Sequence, residues 1–94
     1  MKTLESDGID LLISDISRQK SARVVDVPRE ASVGEVVQRS LDRLRLAQHD
    51  ATGRSLTYQA RLDREGRRLH ASERVGETLR HLDELTLEYN IDAG

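Results

Sequence analysis

The chain has 94 residues, 36% of them hydrophobic and 34% charged, and a formal net charge of −2. One small domain fits that length, and Leu, Ile and Val supply 24 of the 94 residues, above the roughly 20% level typical of disordered chains. The absence of cysteine rules out a disulfide scaffold, a cysteine nucleophile and a zinc ribbon, and the lack of a basic excess leaves no nucleic-acid footprint.

Residues 1–8 are polar and aperiodic and read as a loose N-terminal tail. Ile9, Leu11 and Ile13 then alternate with other residues, the period of a half-buried strand. Arg18–Ser21 is a polar break. It is followed by Arg23, Val25 and Val27 set against Val24 and Asp26, so the pair reads as a β-hairpin that Pro28 ends. Ser32-Val-Gly-Glu35 has the form of a capping box. Val33, Val36, Val37, Leu41 and Leu44 follow on one helical face, which predicts an amphipathic helix from Val33 to about His49. Arg39, Arg43 and Arg45 lie toward its C-terminal end, where they complement the helix dipole.

Asp50–Arg54 is a loop. Leu56, Tyr58, Ala60 and Leu62 alternate as a third strand, and Asp63–Arg67 turns it into a short fourth around Arg68–Leu69. The stretch 70–80 is a connector with one helical turn after Ser72. Leu85, Leu87, Tyr89 and Ile91 alternate as the last strand. The expected fold is α+β, in the order ββαββ(turn)β. One long helix packs on one face of a mixed, mostly antiparallel five-stranded sheet over residues 9–91, and residues 92–94 form a tail. With Phe, Trp and Cys all absent, the core must be aliphatic.

This order and several of its residues resemble ubiquitin and its β-grasp relatives. Val25-Asp-Val27-Pro28 with Ser32-Val33 looks like the second strand entering the helix. Leu62, Gly66 and Leu69 are similar to the strand, Gly turn and Leu that precede the long connector. Val75-Gly-Glu-Thr-Leu79 and Leu82-Asp-Glu84-Leu85 resemble the connector and the acidic turn before the last strand.

The resemblance implies a function. In ubiquitin-like modifiers the C-terminal glycine carboxylate is adenylated by an ATP-using activating enzyme, passed to a thioester and joined to a target amine. Gly94 would be that glycine, with Ala93 and Asp92 before it in the threading tail; a residue without Cβ suits a narrow channel. The resemblance implies as partners a cognate activating enzyme, a conjugating enzyme, a deconjugating peptidase and a target protein, with no cofactor on the chain itself. The acidic Asn90-Ile-Asp92 departs from ubiquitin's basic tail, so the activating enzyme should be a dedicated one. The face that ubiquitin offers as an apolar patch would hold Arg61, Asp63, Thr86, Glu88 and Asn90, a charged partner-binding surface without an apolar anchor. Lys2 and Lys20 are the only lysines that could accept a further copy.

Other readings stay open. The chain could be a non-conjugated ubiquitin-fold interaction module, as in type VII secretion, or a sulfur carrier, although sulfur carriers characteristically end in Gly-Gly. The arginine-rich composition suggests a bacterial source, and some bacterial modifiers serve antiviral defence. No apolar run approaches the roughly 18 residues of a membrane span, and Met1–Asp7 lacks a signal-peptide pattern, so a cytoplasmic monomer is expected. His49, His70 and His81 have no metal-ligand spacing, and no nucleophile motif or phosphate loop occurs, so an enzyme is not expected.

Overall fold

Ile9, Leu11 and Ile13 are all buried, so the first alternation defines a strand with one face on the core. The computed structural model describes residues 8–91. Strand β1 is Ile9–Asp15, β2 Ser21–Val27, helix α1 Val33–Leu44, β3 Leu56–Leu62, β4 Arg67–Arg68, helix α2 Val75–Thr78 and β5 Asp83–Ile91. The strands form one five-stranded sheet in the order β2-β1-β5-β3-β4. The β1–β5 pair is parallel and the other three pairs are antiparallel. Helix α1 covers one face, and between the layers lies an aliphatic core that includes Leu11, Ile13, Val36, Leu62, Leu85 and Leu87.

The hairpin corrects one sequence expectation. Strict alternation groups Val25 with Val27, but Val24 and Val27 are buried and Val25 is 51% exposed. Ile9 pairs with Val27 and Leu11 with Val24, so β2 carries one residue more than β1 over this stretch, a β-bulge. Asp26 takes up the extra residue at φ 56°. The Asp10 carboxylate holds the bulge, accepting the Asp26 N–H at 2.9 Å and Arg23 Nη2 and Nε at 2.7 and 3.0 Å. The Asp26 amide, then the Arg23 guanidinium, hold the Asp10 carboxyl below its ordinary range.

The helix begins where the capping box places it and ends earlier than the spacing suggested. Ser32 Oγ accepts the Glu35 N–H at 3.2 Å, and Glu35 Oε2 accepts the Ser32 N–H at 2.8 Å. Ser32→Ala is expected to cost about 1 kcal/mol. The check is a lower urea midpoint at unchanged m-value; an unmoved midpoint would show that the box adds nothing.

At the other end Arg45 adopts the left-handed conformation, φ 54° and ψ 47°, and the Leu46 N–H closes back on the Leu41 carbonyl at 3.1 Å. The physical reason is Leu46. Two residues past Leu44 it would lie about 200° round a continued helix, in water. The early stop turns it back to pack against the core.

The connector seals the first turn of α1. Glu73 and Ala71 carbonyls accept the N–H groups of Val33 and Gly34 at 2.8 and 2.9 Å, pairing donors that a helix start leaves without partners. Gly76 N–H in turn bonds Arg29 O at 2.8 Å, and a Cβ at Gly76 would sit 2.8 Å from the Arg29 Cβ, so this close approach requires glycine. Two smaller boundaries also differ from expectation. The fourth strand is Arg67–Arg68 and the last starts at Asp83, because Asp83 already pairs with Leu11 on β1.

Candidate functional site

The sequence singled out a tail and a sheet face. Asp92, Ala93, Gly94 and Lys2 lie outside the described residues. What precedes the tail is well defined. Strand β5 lies in the middle of the sheet, paired with β1 from Asp83 to Leu87 and with β3 up to Ile91, which faces Leu56. Tyr89, 48% exposed on the helix side, leans on Tyr58 with ring centroids 5.8 Å apart. The Tyr58 hydroxyl donates to Ala47 O at 2.6 Å, and burial raises its pKa. Lys20 is exposed in the turn before β2, with its ammonium on the Arg45 carbonyl at 3.3 Å.

On the face opposite α1 the structure brings Arg61, Asp63, Thr86 and Glu88 together, because β3 and β5 pair Arg61 with Thr86. Arg61 Nη1 donates to Glu88 Oε2 at 3.3 Å, and its Nε lies 3.6 Å from Asp63 Oδ1. Arg68 Nε reaches the other Glu88 oxygen at 2.8 Å, and Arg18 Nη2 lies 3.6 Å from Asp63. The Thr86 hydroxyl donates to Asp63 at 2.9 Å and is itself 2% exposed. Thr86 therefore supports the ionic layer from below and offers a partner no contact, which corrects its expected surface role. Asn90 is exposed beside Thr57, farther along the strand.

Sequence reasoning missed Arg18 and Arg68. Arg68 faces Arg61 only through the β3–β4 register, and Arg18 reaches Asp63 from the first hairpin turn. Neither carries a local signal. The result is a face of alternating charge whose groups pair largely with one another. Among the described residues Arg61 Nε is the buried side-chain atom without a hydrogen-bond partner.

Chemistry elsewhere is sparse. No group of three or more His, Cys, Asp or Glu among the described residues could hold a metal ion. A shallow depression of about 360 Å³ lies over Leu12, Ser14, Ser21, Arg23 and Glu84, and a groove of about 260 Å³ lies between α1 and β3. The carboxylates with lowered pKa values serve turns and bulges. Asp50, for example, is held down first by the Thr52 hydroxyl and then by the Arg54 amide of its own loop.

This strand order, with one parallel pair at the centre and a capped helix across one face, is the ubiquitin-like β-grasp fold. Solved structures agree. The chain is similar to one described as molecular mimicry of SUMO promoting DNA repair, with TM-score 0.68, 17% identity, and coverage of 90% of this chain and 95% of that one. It is similar to the UBL domain of yeast Ddi1, with TM-score 0.62, 12% identity, and coverage of 97% and 99%. It is also similar to part of a chain in the MycP5-free ESX-5 inner membrane complex, with TM-score 0.58, 21% identity, and coverage of 93% of this chain and 22% of that one. No protein-family model matches the chain, and no curated protein matches its sequence.

Proposed function

We propose that this ubiquitin-like chain is a protein modifier, of bacterial origin as its arginine content suggests, working in the cytoplasm as the substrate of an activation and conjugation cascade. Its Gly94 carboxylate attacks the α-phosphate of ATP on an activating enzyme, releasing pyrophosphate. An enzyme thiol then displaces AMP, and a target amine displaces the thiol to leave an amide. What supports the reading is the strand that leads to the tail: β5 lies inside the sheet between β1 and β3 and pairs with β3 as far as Ile91. The partner surface of this reading is the ionic face of Arg61, Asp63 and Glu88 with Asn90 beside it, joined by Arg68 and Arg18. The expected partners are an activating enzyme of matching charge, a conjugating enzyme and a deconjugating peptidase. Lys20 is an exposed candidate acceptor, and Lys2 is a second.

A second reading is a non-conjugated interaction module. It is favoured by the likeness to the ESX-5 chain, of which this one spans 22%. Mass spectrometry on protein recovered from its host separates the two. Conjugation predicts the tryptic branch His81–Gly94 on target lysines, lost when Gly94 is deleted. A C-terminal thiocarboxylate would point to a sulfur carrier. Unattached chain alone, in cells expressing the partner genes, would leave the interaction module.

A further inference from the structure

Tyr58 and Tyr89 are the chain's whole complement of Phe, Tyr and Trp, and neither fills the centre of the core. The β3–β5 register sets them directly opposite each other, two residues before Ile91. Tyr58 is fixed, because its ring packs against the core and its hydroxyl is tied to Ala47 O. Tyr89 leans on that ring and leaves nearly half of its own surface in water. A ring braced from behind loses little freedom when a partner covers it. Exposed Ile16 lies at the same end of the sheet, in the turn after Asp15, which pairs with Leu87.

The length of the tail says what must lie against this end. Asp92-Ala-Gly94 adds three residues beyond Ile91, a reach of about 10 Å when fully extended. An enzyme that brings the Gly94 carboxylate to ATP must enclose it within that distance of the end of β5. A long tail would let the enzyme work clear of the domain, and three residues do not. Its surface therefore rests on the side chains just before Ile91, which are Asn90 on the ionic side and Tyr89 on the helix side. The ionic side offers charges that already have partners. Tyr89 offers an apolar ring, and tyrosine is among the side chains that carry most of the energy of protein contacts.

We propose that Tyr89, braced by Tyr58, is the anchor by which the activating enzyme grips the chain and positions Gly94 for adenylation. This inference rests on the conjugation reading and names the residue that reading lacks, an apolar anchor. The matching enzyme surface is an apolar pocket with a polar rim, which takes the outer face of the ring and completes the burial that Tyr58 begins. Tyr89 is a positioning residue, since it touches the enzyme and not the reacting carboxylate. The step it serves is attack of the Gly94 carboxylate on the α-phosphate of ATP, which forms the acyl-phosphate bond and releases pyrophosphate. Losing the ring loosens the grip on the chain and leaves that chemistry intact.

The test incubates purified chain with magnesium ATP, hydroxylamine and an extract of host cells lacking the gene for the chain. Hydroxylamine takes the acyl group from the adenylate or the enzyme thioester, releasing AMP or the thiol, and leaves a C-terminal hydroxamate that mass spectrometry counts. Tyr89→Ala should raise the chain concentration that gives half-maximal rate about tenfold or more, with the saturating rate nearly unchanged. Tyr89→Lys should do the same, so the result does not hang on one variant folding. Tyr89→Phe keeps the ring and should match the unaltered chain. Val25→Ala trims an exposed side chain at the far edge of the sheet and should change nothing. Urea midpoints of the variants separate loss of grip from loss of fold. Folded Tyr89→Ala and Tyr89→Lys with unaltered half-saturation overturn this inference while conjugation stands, as does Tyr89→Phe as impaired as Tyr89→Ala. No hydroxamate on the unaltered chain overturns the conjugation reading and this inference with it.

Discussion

Leu62→Ala is expected to remove about 3 kcal/mol of folding stability, a large loss for a single side chain in a domain of this size. Leu62 is 0% exposed and lies opposite Leu85 on β5, at the point where β3 passes from the core into the turn toward β4. The buried core around it is aliphatic, with Tyr58 packed only against its edge, and β-strands on both sides hold the backbone in place. Most of the deleted volume should therefore persist as a cavity instead of collapsing. A small domain has only about 5–10 kcal/mol in total, so the variant should melt well below the unaltered protein. Urea denaturation reads the change as a midpoint shift at constant m-value. A loss under about 1 kcal/mol would show that the site relaxes.

The second large effect belongs to Asp83. Its side chain is 8% exposed and accepts Arg64 Nε and Nη2, each at 3.1 Å, together with the Arg80 N–H at 2.8 Å. Burial alone would raise this carboxyl. The Arg64 guanidinium and the Arg80 amide outweigh it and hold the pKa below the ordinary 3.8. The bonds clasp the turn that ends at Leu82, where the backbone takes φ 70°, and so set the start of β5. Asp83→Asn keeps the shape and removes the charge, and is expected to cost about 2 kcal/mol near neutral pH.

The pH dependence carries a sign. A carboxyl whose folded pKa is depressed contributes its stability above the unfolded value, 3.8, and loses it as pH falls through the lower folded value. The gap between Asp83→Asn and the unaltered protein should therefore be full above about pH 5 and close in stronger acid. Denaturant titrations at pH 7 and at pH 3 measure it. A gap that does not change with pH would mean that the clasp works through shape alone.

Much of the fold was legible because it rests on short-range periodicity. Ile9, Leu11 and Ile13 on β1, and Leu56 to Leu62 on β3, kept their period, and the capping box at Ser32 and Glu35 set the helix start by a local bond. The sequence pattern failed where a residue serves a distant partner. Val25 looked like a core valine until the bulge opposite Asp10 turned it outward. The helix overran in the prediction because Leu46 is drawn to the core by tertiary packing, which spacing cannot express. Ser40 is a polar residue that apolar spacing does not pick out, and it is 0% exposed, its hydroxyl donating to Val36 O at 2.7 Å one turn back.

The sheet face shows the same division. The resemblance to ubiquitin implied one face for Arg61, Asp63, Thr86 and Glu88, and the β3–β5 register brings them together. That Thr86 lies beneath the layer, and that Arg18 and Arg68 complete it, depends on contacts across 20 to 45 positions of sequence.

By itself the amino-acid sequence determined the element types, their order, the aliphatic core and the capped helix start, because each follows from side-chain period and local backbone chemistry. The tertiary structure alone decided the register of the strands, the bulge, the helix end, the burial of Thr86 and Asp83, and which arginines meet which acceptors. Those outcomes depend on residues far apart in the chain competing for the same space and the same hydrogen bonds, and only the folded packing settles that competition.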